Sequence, residues 1–212
     1  MSKTNKIFLF VLLGIFAIFF NSCIFFGISR PQKLSSEKIE KKSQKYHLRE
    51  FEHFYATEDG FLNYTKTLED NNLDIKITHA LVFKNNKLVL SKDSVCYANG
   101  CYLIERLIDS NSYNIIDSIR LESFINKQSI YDFDSMKFIS IINDCDFFIV
   151  IYWASFAGIL NRNGAESLSK CLKTEIENKS LNAKAIYVNL DMKEDWDKDR
   201  FYKAIGLKKQ KK

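Results

Sequence analysis

The chain has 212 residues, of which 46% are hydrophobic, and it carries a formal net charge of +5. This length fits one domain plus an anchor, and the composition supports a packed core, which excludes a chain that is disordered throughout. The positive charge is spread out apart from the lysines within 208–212, and no arginine-rich face with interleaved aromatic residues is present. The sequence therefore indicates no nucleic-acid partner.

Residues 1–28 have the pattern of an export signal or a membrane anchor. A lysine-containing start precedes an apolar run over 7–20, which has the length of a signal-peptide core. The run ends in a Ser-Cys pair that resembles a bacterial lipoprotein cleavage box, with Cys23 as the lipid-bearing residue. Because apolar residues resume after Cys23, the alternative is an uncleaved span over 7–28, which is about one bilayer crossing long. Both interpretations place the rest of the chain on the exported side of a cell membrane.

Residues 29–72 are charged and polar, and they are interpreted as a stalk with a lead-in helix. The helix is expected within 36–56, where the apolar stripe is weak, and Asp59-Gly60 is expected to end it with turn chemistry. The folded domain is then expected to comprise 73–212.

Strand signals begin after residue 73. Two β-hairpins are predicted, over 80–90 around Asn85-Asn86 and over 95–107 around Asn99-Gly100, because asparagine and glycine tolerate the positive φ of tight turns. The segment 147–153 is apolar at every position, which is typical of a strand covered on both faces in an α/β sheet.

A helix, a strand and a second helix are predicted after this strand. Apolar spacing predicts a helix over about 157–178, alternation predicts a strand over 183–190, and a last helix is expected to end at Gly206. A strand-helix-strand crossover implies parallel strands, so the fold class is α/β with a β-α-β-α order. Asp191, Glu194 and Asp195 precede the last helix, where negative charge is stabilising, and this explains them without catalysis.

The residues between the apolar strand and its helix resemble a known active-site turn. The run Trp153-Ala154-Ser155-Phe156-Ala157-Gly158-Ile159-Leu160 is similar to the Trp-Ala-small-aromatic-Cys-Gly-Pro-Cys pattern of the thioredoxin-like family, in particular the membrane-anchored thiol-disulfide proteins of bacterial envelopes. Val188-Asn189-Leu190-Asp191 resembles the strand that follows in that family. The resemblance covers about 136–206 and implies a thioredoxin-like core. The alternative is an unrelated α/β strand-turn-helix.

The chemistry of that family is missing from the turn. Disulfide exchange needs an attacking thiolate and a resolving thiol, and the two cysteine positions hold Ala157 and Leu160, on either side of Gly158 and Ile159. The family also uses a cis-proline beside the cysteines, whereas no proline follows Pro31. The sequence therefore predicts no redox catalysis at this turn, no catalytic residues and no cofactor.

The resemblance also implies a β-hairpin and a closing helix beyond the second helix, and the chain stops before them at Lys212. The expectation is a core that is incomplete at its C-terminal end, with the upstream hairpins completing the sheet. The alternative is an incomplete gene product.

Four further cysteines lie in the predicted domain. Cys96 and Cys101 bracket a short turn and are candidates for a disulfide, or alternatively for a displaced redox pair. Cys145 and Cys171 are predicted to be buried thiols, and a bridge is the alternative. No second ligand pair with zinc spacing is present, so no metal site is predicted.

The sequence thus predicts an exported, membrane-anchored, thioredoxin-like protein without redox-active cysteines. The favoured function is a binding module of the bacterial envelope, in which Trp153, Phe156, Ile159 and Leu160 form an apolar patch for a protein partner if they are exposed. One alternative is an accessory of thiol-disulfide exchange that uses Cys96 and Cys101. Another is a degenerate relative without a function of its own. The sequence gives no oligomeric state.

Overall fold

The structure is a computed structural model that describes residues 29–71, 73, 80–91, 105–106, 108–109, 113–128, 130–132 and 145–207. The strands within these residues are β1 (Glu52–Tyr55), β2 (Ala80–Lys84), β3 (Lys87–Ser91), β4 (Tyr113–Arg120), β5 (Tyr131–Asp132), β6 (Phe147–Trp153) and β7 (Ala183–Asn189). The helices are α1 (Ser36–Lys45), α2 (Glu58–Asp70), α3 (Leu121–Gln128), α4 (Ser167–Glu177) and α5 (Lys198–Ala204).

The described strands form one mixed sheet in the order β4-β3-β2-β6-β7-β1-β5. The three strands β6, β7 and β1 are parallel, and the remaining neighbours are antiparallel. The prediction of a mixed α/β fold is therefore confirmed. The predicted parallel pairing across the crossover is also observed, with Ile151 opposite Tyr187.

The central strand β6 supplies both faces of the core, as its unbroken apolar sequence predicts. All seven of its residues are buried. Side chains such as Val150 and Tyr152 point into one cluster with α2, α3 and α5, while Ile149 and Trp153 point into another with α1 and α4. Helices thus cover the sheet on both faces, and β6 is fixed between two apolar layers.

An upstream hairpin covers the free edge of β6. The turn between β2 and β3 is Asn85-Asn86, and both residues have positive φ (48° and 65°), as the sequence predicts. Strand β2 then runs antiparallel to β6, with Val82 opposite Ile149. The expectation that an upstream hairpin completes the sheet is met by 80–90. The second predicted hairpin, around Asn99-Gly100, lies outside the described residues.

The segment interpreted as a stalk belongs to the folded domain, which corrects the boundary placed at 72/73. Helix α1 buries Ile39 completely against the sheet. The helix predicted within 36–56 ends with α1. Residues 52–55 instead form strand β1, which pairs in parallel with β7. The sequence shows only a weak apolar stripe here. A few apolar residues are enough to pack the segment against the domain when each of them is fully buried.

Helix α2 begins where the sequence predicts a turn. The Thr57 side chain accepts a hydrogen bond from the Gly60 amide at 3.0 Å, which caps the helix start. Asp59-Gly60 therefore lies in the first helical turn, which corrects the prediction that it ends a helix. At the other end of the chain Gly206 has φ 72° just after α5, as the sequence predicts for a helix terminus.

Candidate functional site

The candidate site lies where the parallel strands β6 and β7 end side by side. Ligand sites of α/β sheets are commonly found at the carboxyl ends of parallel strands. Strand β6 continues into residues 154–160, here named the turn, and β7 continues into Leu190 and Asp191. The Leu190 amide donates to the Trp153 carbonyl at 2.9 Å, which holds the two strand ends together.

Asp191 is the polar centre of this edge. Its carboxylate is 2% exposed and accepts hydrogen bonds from the Ser155 amide (2.9 and 3.0 Å to its two oxygens) and the Ser155 hydroxyl (2.8 Å). It also accepts one from Asn189 Nδ2 at 2.9 Å. The sequence groups Asp191 with the acidic residues of a helix start, and the structure places it in the core instead.

Burial raises the pKa of the Asp191 carboxyl, and the hydrogen bonds from Asn189 and Ser155 oppose this shift. A carboxylate that is removed from water is costly unless donors surround it. The donors that offset this cost are all supplied by the strand ends and the turn. Asp191 therefore holds the backbone in place, and its oxygens are not open to solvent.

Two further side chains hold the backbone of the turn. Asn161, which is fully buried, donates to the Ala154 carbonyl (2.8 Å) and accepts from the Ala154 amide (3.3 Å). The Tyr46 hydroxyl of the segment after α1 donates to the Ser155 carbonyl at 3.1 Å. Burial raises the pKa of Tyr46, and the charge of Asp191 adds to the shift. None of these contacts is signalled by a sequence motif.

The middle of the turn depends on a glycine. Gly158 has φ 57° and ψ −129°, a conformation that side chains with a Cβ rarely adopt. It joins the short 3₁₀ turn Ser155–Ala157 to the π-helical turn Asn161–Glu166, which leads into α4. The helix predicted over about 157–178 thus consists of an irregular first part and the regular α4.

The structure divides the predicted apolar patch into two parts. Trp153 is fully buried and Phe156 is nearly so, and both belong to the core. Ala157, at the first cysteine position of the resembled motif, is also buried. Ile159 and Leu160 are exposed to 38% and 42%. The surface available for contacts at the turn is therefore the pair Ile159–Leu160.

Residues 29–35, here named the strap, lie across the same edge of the sheet. The Ser29 amide donates to the Phe156 carbonyl at 2.8 Å, and the Tyr202 hydroxyl donates to the Pro31 carbonyl at 2.8 Å. The Leu34 amide donates to the Met192 carbonyl at 3.0 Å. The sequence does not predict the strap, because each of these hydrogen bonds joins residues that are far apart in sequence.

The cysteines differ in part from the prediction. Cys171 is disulfide-bonded, which corrects its interpretation as a thiol, and its partner lies outside the described residues. Cys145 carries a half-buried thiol. Cys23, Cys96 and Cys101 also lie outside the described residues, so lipid attachment and a Cys96–Cys101 bridge stay predictions.

Neither a metal cluster nor a membrane-spanning helix is found in the described part of the chain. No three His, Cys, Asp or Glu side chains there are grouped so that they could hold an ion. No helix there is both long enough and apolar enough to cross a bilayer.

Comparison of the chain with known proteins found no matching family model, no similar curated protein and no similar solved structure. A function for the chain is therefore inferred from the residues and the geometry of the turn.

Replacement of Gly158 by alanine tests the conformation of the turn. We expect Gly158→Ala to lower the free energy of unfolding by about 1–3 kcal/mol, because its backbone conformation is strained for any residue with a Cβ. Gly164→Ala is the matched control, since its added Cβ has no heavy atom within 4 Å apart from its chain neighbours and the nearby backbone of its own helical turn. We expect that control to be neutral or more stable by up to about 1 kcal/mol. Urea unfolding of the full chain in a non-ionic detergent measures both, and equal effects would contradict the assigned turn.

The raised pKa of Asp191 gives a pH dependence of stability with a definite sign. The folded state holds the Asp191 proton more tightly than the unfolded chain, whose aspartates titrate near 3.8. The stability from this group is thus fully present below that value and is lost as pH rises through the folded pKa. Asp191→Asn removes the titrating carboxyl, so the variant does not lose this stability as pH rises. All other carboxyl groups are present in both proteins, so their contributions to the pH dependence cancel when the two are compared. We expect the wild-type free energy of unfolding, relative to the variant, to fall as pH rises from acid to neutral. A difference that is constant or rises with pH would contradict the assignment.

Proposed function

We propose that the chain is an exported, membrane-anchored protein whose thioredoxin-like α/β domain acts as a non-catalytic binding module of the bacterial envelope. One observation carries this proposal. The turn that resembles a redox active site holds Ala157 and Leu160 at the cysteine positions, and Asp191 and Asn161 fix its backbone from within the core.

The topology around the turn supports a thioredoxin-like scaffold. Strand β6 leads through the turn and helix α4 to the parallel strand β7, which is the order that the resemblance implies. The hairpin that the family carries after its second helix has a counterpart in β2–β3, which approaches β6 from upstream in sequence. The β2–β3 hairpin thus gives β6 a paired strand on each edge, so no apolar strand edge is left bare.

The polar groups of the turn serve structure better than catalysis. Ser155 and Asp191 are a hydroxyl and a carboxylate at hydrogen-bond distance, which is one ingredient of nucleophilic catalysis. Both side chains are buried, however, and the Asp191 carboxylate also accepts a hydrogen bond from the Ser155 amide. A group that is needed to hold the backbone and has no access to solvent is poorly suited to attack a substrate.

The exposed pair Ile159–Leu160 supports a binding role. Large apolar side chains that stay exposed beside each other are candidates for a contact surface. The rigid turn beneath them fixes the positions from which they project, so a partner meets an ordered surface. We therefore assign the contact surface of the module to Ile159–Leu160.

The disulfide of Cys171 supports export. Disulfides persist in oxidising compartments and are rare in the cytosol. This agrees with the signal or anchor that the sequence predicts in 1–28.

A cavity elsewhere on the domain is a weaker candidate site. It has a volume of about 700 Å³ and opens widely to solvent. Its lining mixes two cations with one carboxylate, and most of its side chains are exposed, so nothing preorganises them for a ligand. The lining residues are Asn86, Arg120, Glu122, Ser123, Asn126 and Lys127.

The proposal predicts a membrane-bound protein without dithiol chemistry. In a bacterial host we expect the chain in the membrane fraction, where protease added to spheroplasts cleaves it from outside. We also expect the purified chain to show only background rates of dithiol-dependent insulin reduction. Cys96→Ser and Cys101→Ser should leave that rate unchanged.

A rate clearly above background that either serine variant abolishes would favour the thiol-disulfide accessory instead. A chain that stays protected from protease in spheroplasts and is cleaved only after lysis would remove the export proposal.

A further inference from the structure

We propose that the partner of the Ile159–Leu160 surface is the anionic lipid bilayer to which the N-terminus is anchored, so that the turn lies flat on the membrane. This inference rests on the proposed function, in which 1–28 carries the anchor. It adds the orientation of the domain and the chemistry of what its contact surface touches.

The segment that joins the predicted anchor to the turn is short. The apolar stretch of the sequence ends at Ile28, and the next residue, Ser29, already donates its amide to the Phe156 carbonyl at 2.8 Å. One residue spans at most about 3.6 Å, so the anchor ends beside the turn. If a lipid on Cys23 is the anchor, only the apolar residues 24–28 lie between it and the turn, a reach of about 20 Å at full extension.

The strap prevents the domain from swinging away from this position. Beyond Ser29, the Pro31 carbonyl accepts a hydrogen bond from the Tyr202 hydroxyl, and Leu34 forms a parallel β-bridge with Lys193. The chain therefore follows the carboxyl edge of the sheet from its first described residue and leaves no spacer. The edge that carries the turn is the edge that faces the bilayer.

The chemistry of the surface also favours a lipid bilayer. Ile159 and Leu160 are followed in sequence by Arg162, whose side chain is 65% exposed. On the strap, exposed Arg30 stacks over the Tyr202 ring at 5.0 Å. Apolar side chains flanked by cations are typical of segments that bind at the boundary between headgroups and acyl chains.

Acidic residues limit the electrostatic part of this contact. Exposed Glu194 and Asp195 lie in the loop after β7, where Lys33 donates to the Glu194 carbonyl at 2.8 Å. Arg162 also lies 3.7 Å from a Glu166 oxygen. We therefore expect the apolar pair to supply most of the binding and the cations to supply the preference for anionic lipid.

The size of the surface favours a bilayer over a protein. A stable protein interface buries about 800 Å² on each partner, which far exceeds two half-exposed side chains. A membrane contact of an anchored domain needs much less, because the tether already keeps the surface at a high effective concentration near the lipid.

Tryptophan fluorescence in vesicles tests the inference on the full chain. The native Trp153 and Trp196 are buried, so a tryptophan introduced at position 159 or 160 reports its own surroundings. Ile159→Trp and Leu160→Trp are compared with Ile115→Trp, a site 49% exposed on the outer strand β4, three strands away from β6. Each variant is reconstituted into phosphatidylcholine–phosphatidylglycerol vesicles with and without brominated acyl chains.

We expect bromine to reduce the added fluorescence at 159 and 160 by about half or more, since these side chains enter the acyl boundary. The signal at 115 should not change. Vesicle flotation of the same samples reports anchoring separately. A chain that floats while positions 159 and 160 stay as unquenched as 115 overturns this inference and leaves the proposed function standing. A chain that does not float overturns the proposed anchoring as well.

Discussion

The hydrogen bonds between the Asp191 carboxylate and Ser155 are the interaction on which the rest of this edge depends. They join the second residue after β7 to the second residue after β6, so the two parallel strands end in a fixed relation. Removal of the carboxylate would leave the Ser155 amide without its acceptor, and an unpaired buried polar group costs about 1–3 kcal/mol. The same carboxylate also accepts a hydrogen bond from the Asn189 side chain, so replacement of Asp191 alone disturbs both strand ends.

This constraint explains why the turn is closed, although its sequence resembles a redox active site. A strand that ends in a tight glycine-containing turn and then a helix presents side chains at a fixed position above the sheet. Here the two positions that correspond to cysteines in the resembled motif hold Ala157, which is buried in the core, and Leu160, which is 42% exposed. The turn therefore offers an apolar side chain at its surface. The strap adds a second constraint, because it fastens the first residues after the predicted anchor to the turn itself.

The parts of the fold that could be predicted are those determined by local sequence. The apolar run of β6, the Asn85-Asn86 hairpin and the end of α5 just before Gly206 each follow from the residues that form them. The role of residues 36–70 could not be read locally, since the burial of Ile39 and the pairing of β1 with β7 depend on partners more than a hundred residues away. The candidate site shows the same division. The turn was visible as a motif, whereas the burial of Asp191 and the disulfide of Cys171 depend on where distant elements meet.

Asp191 holds the turn as a closed structural element. Hydrogen exchange at the Ser155 amide tests this closure most directly. The measurement uses the full chain in detergent micelles and compares this amide with that of Val150 in the middle of β6. Because the Ser155 amide is buried and bonded to a carboxylate, it should exchange nearly as slowly as Val150. Exchange at the rate of an exposed loop amide would show that the turn opens freely, and the closed turn described here would then be wrong.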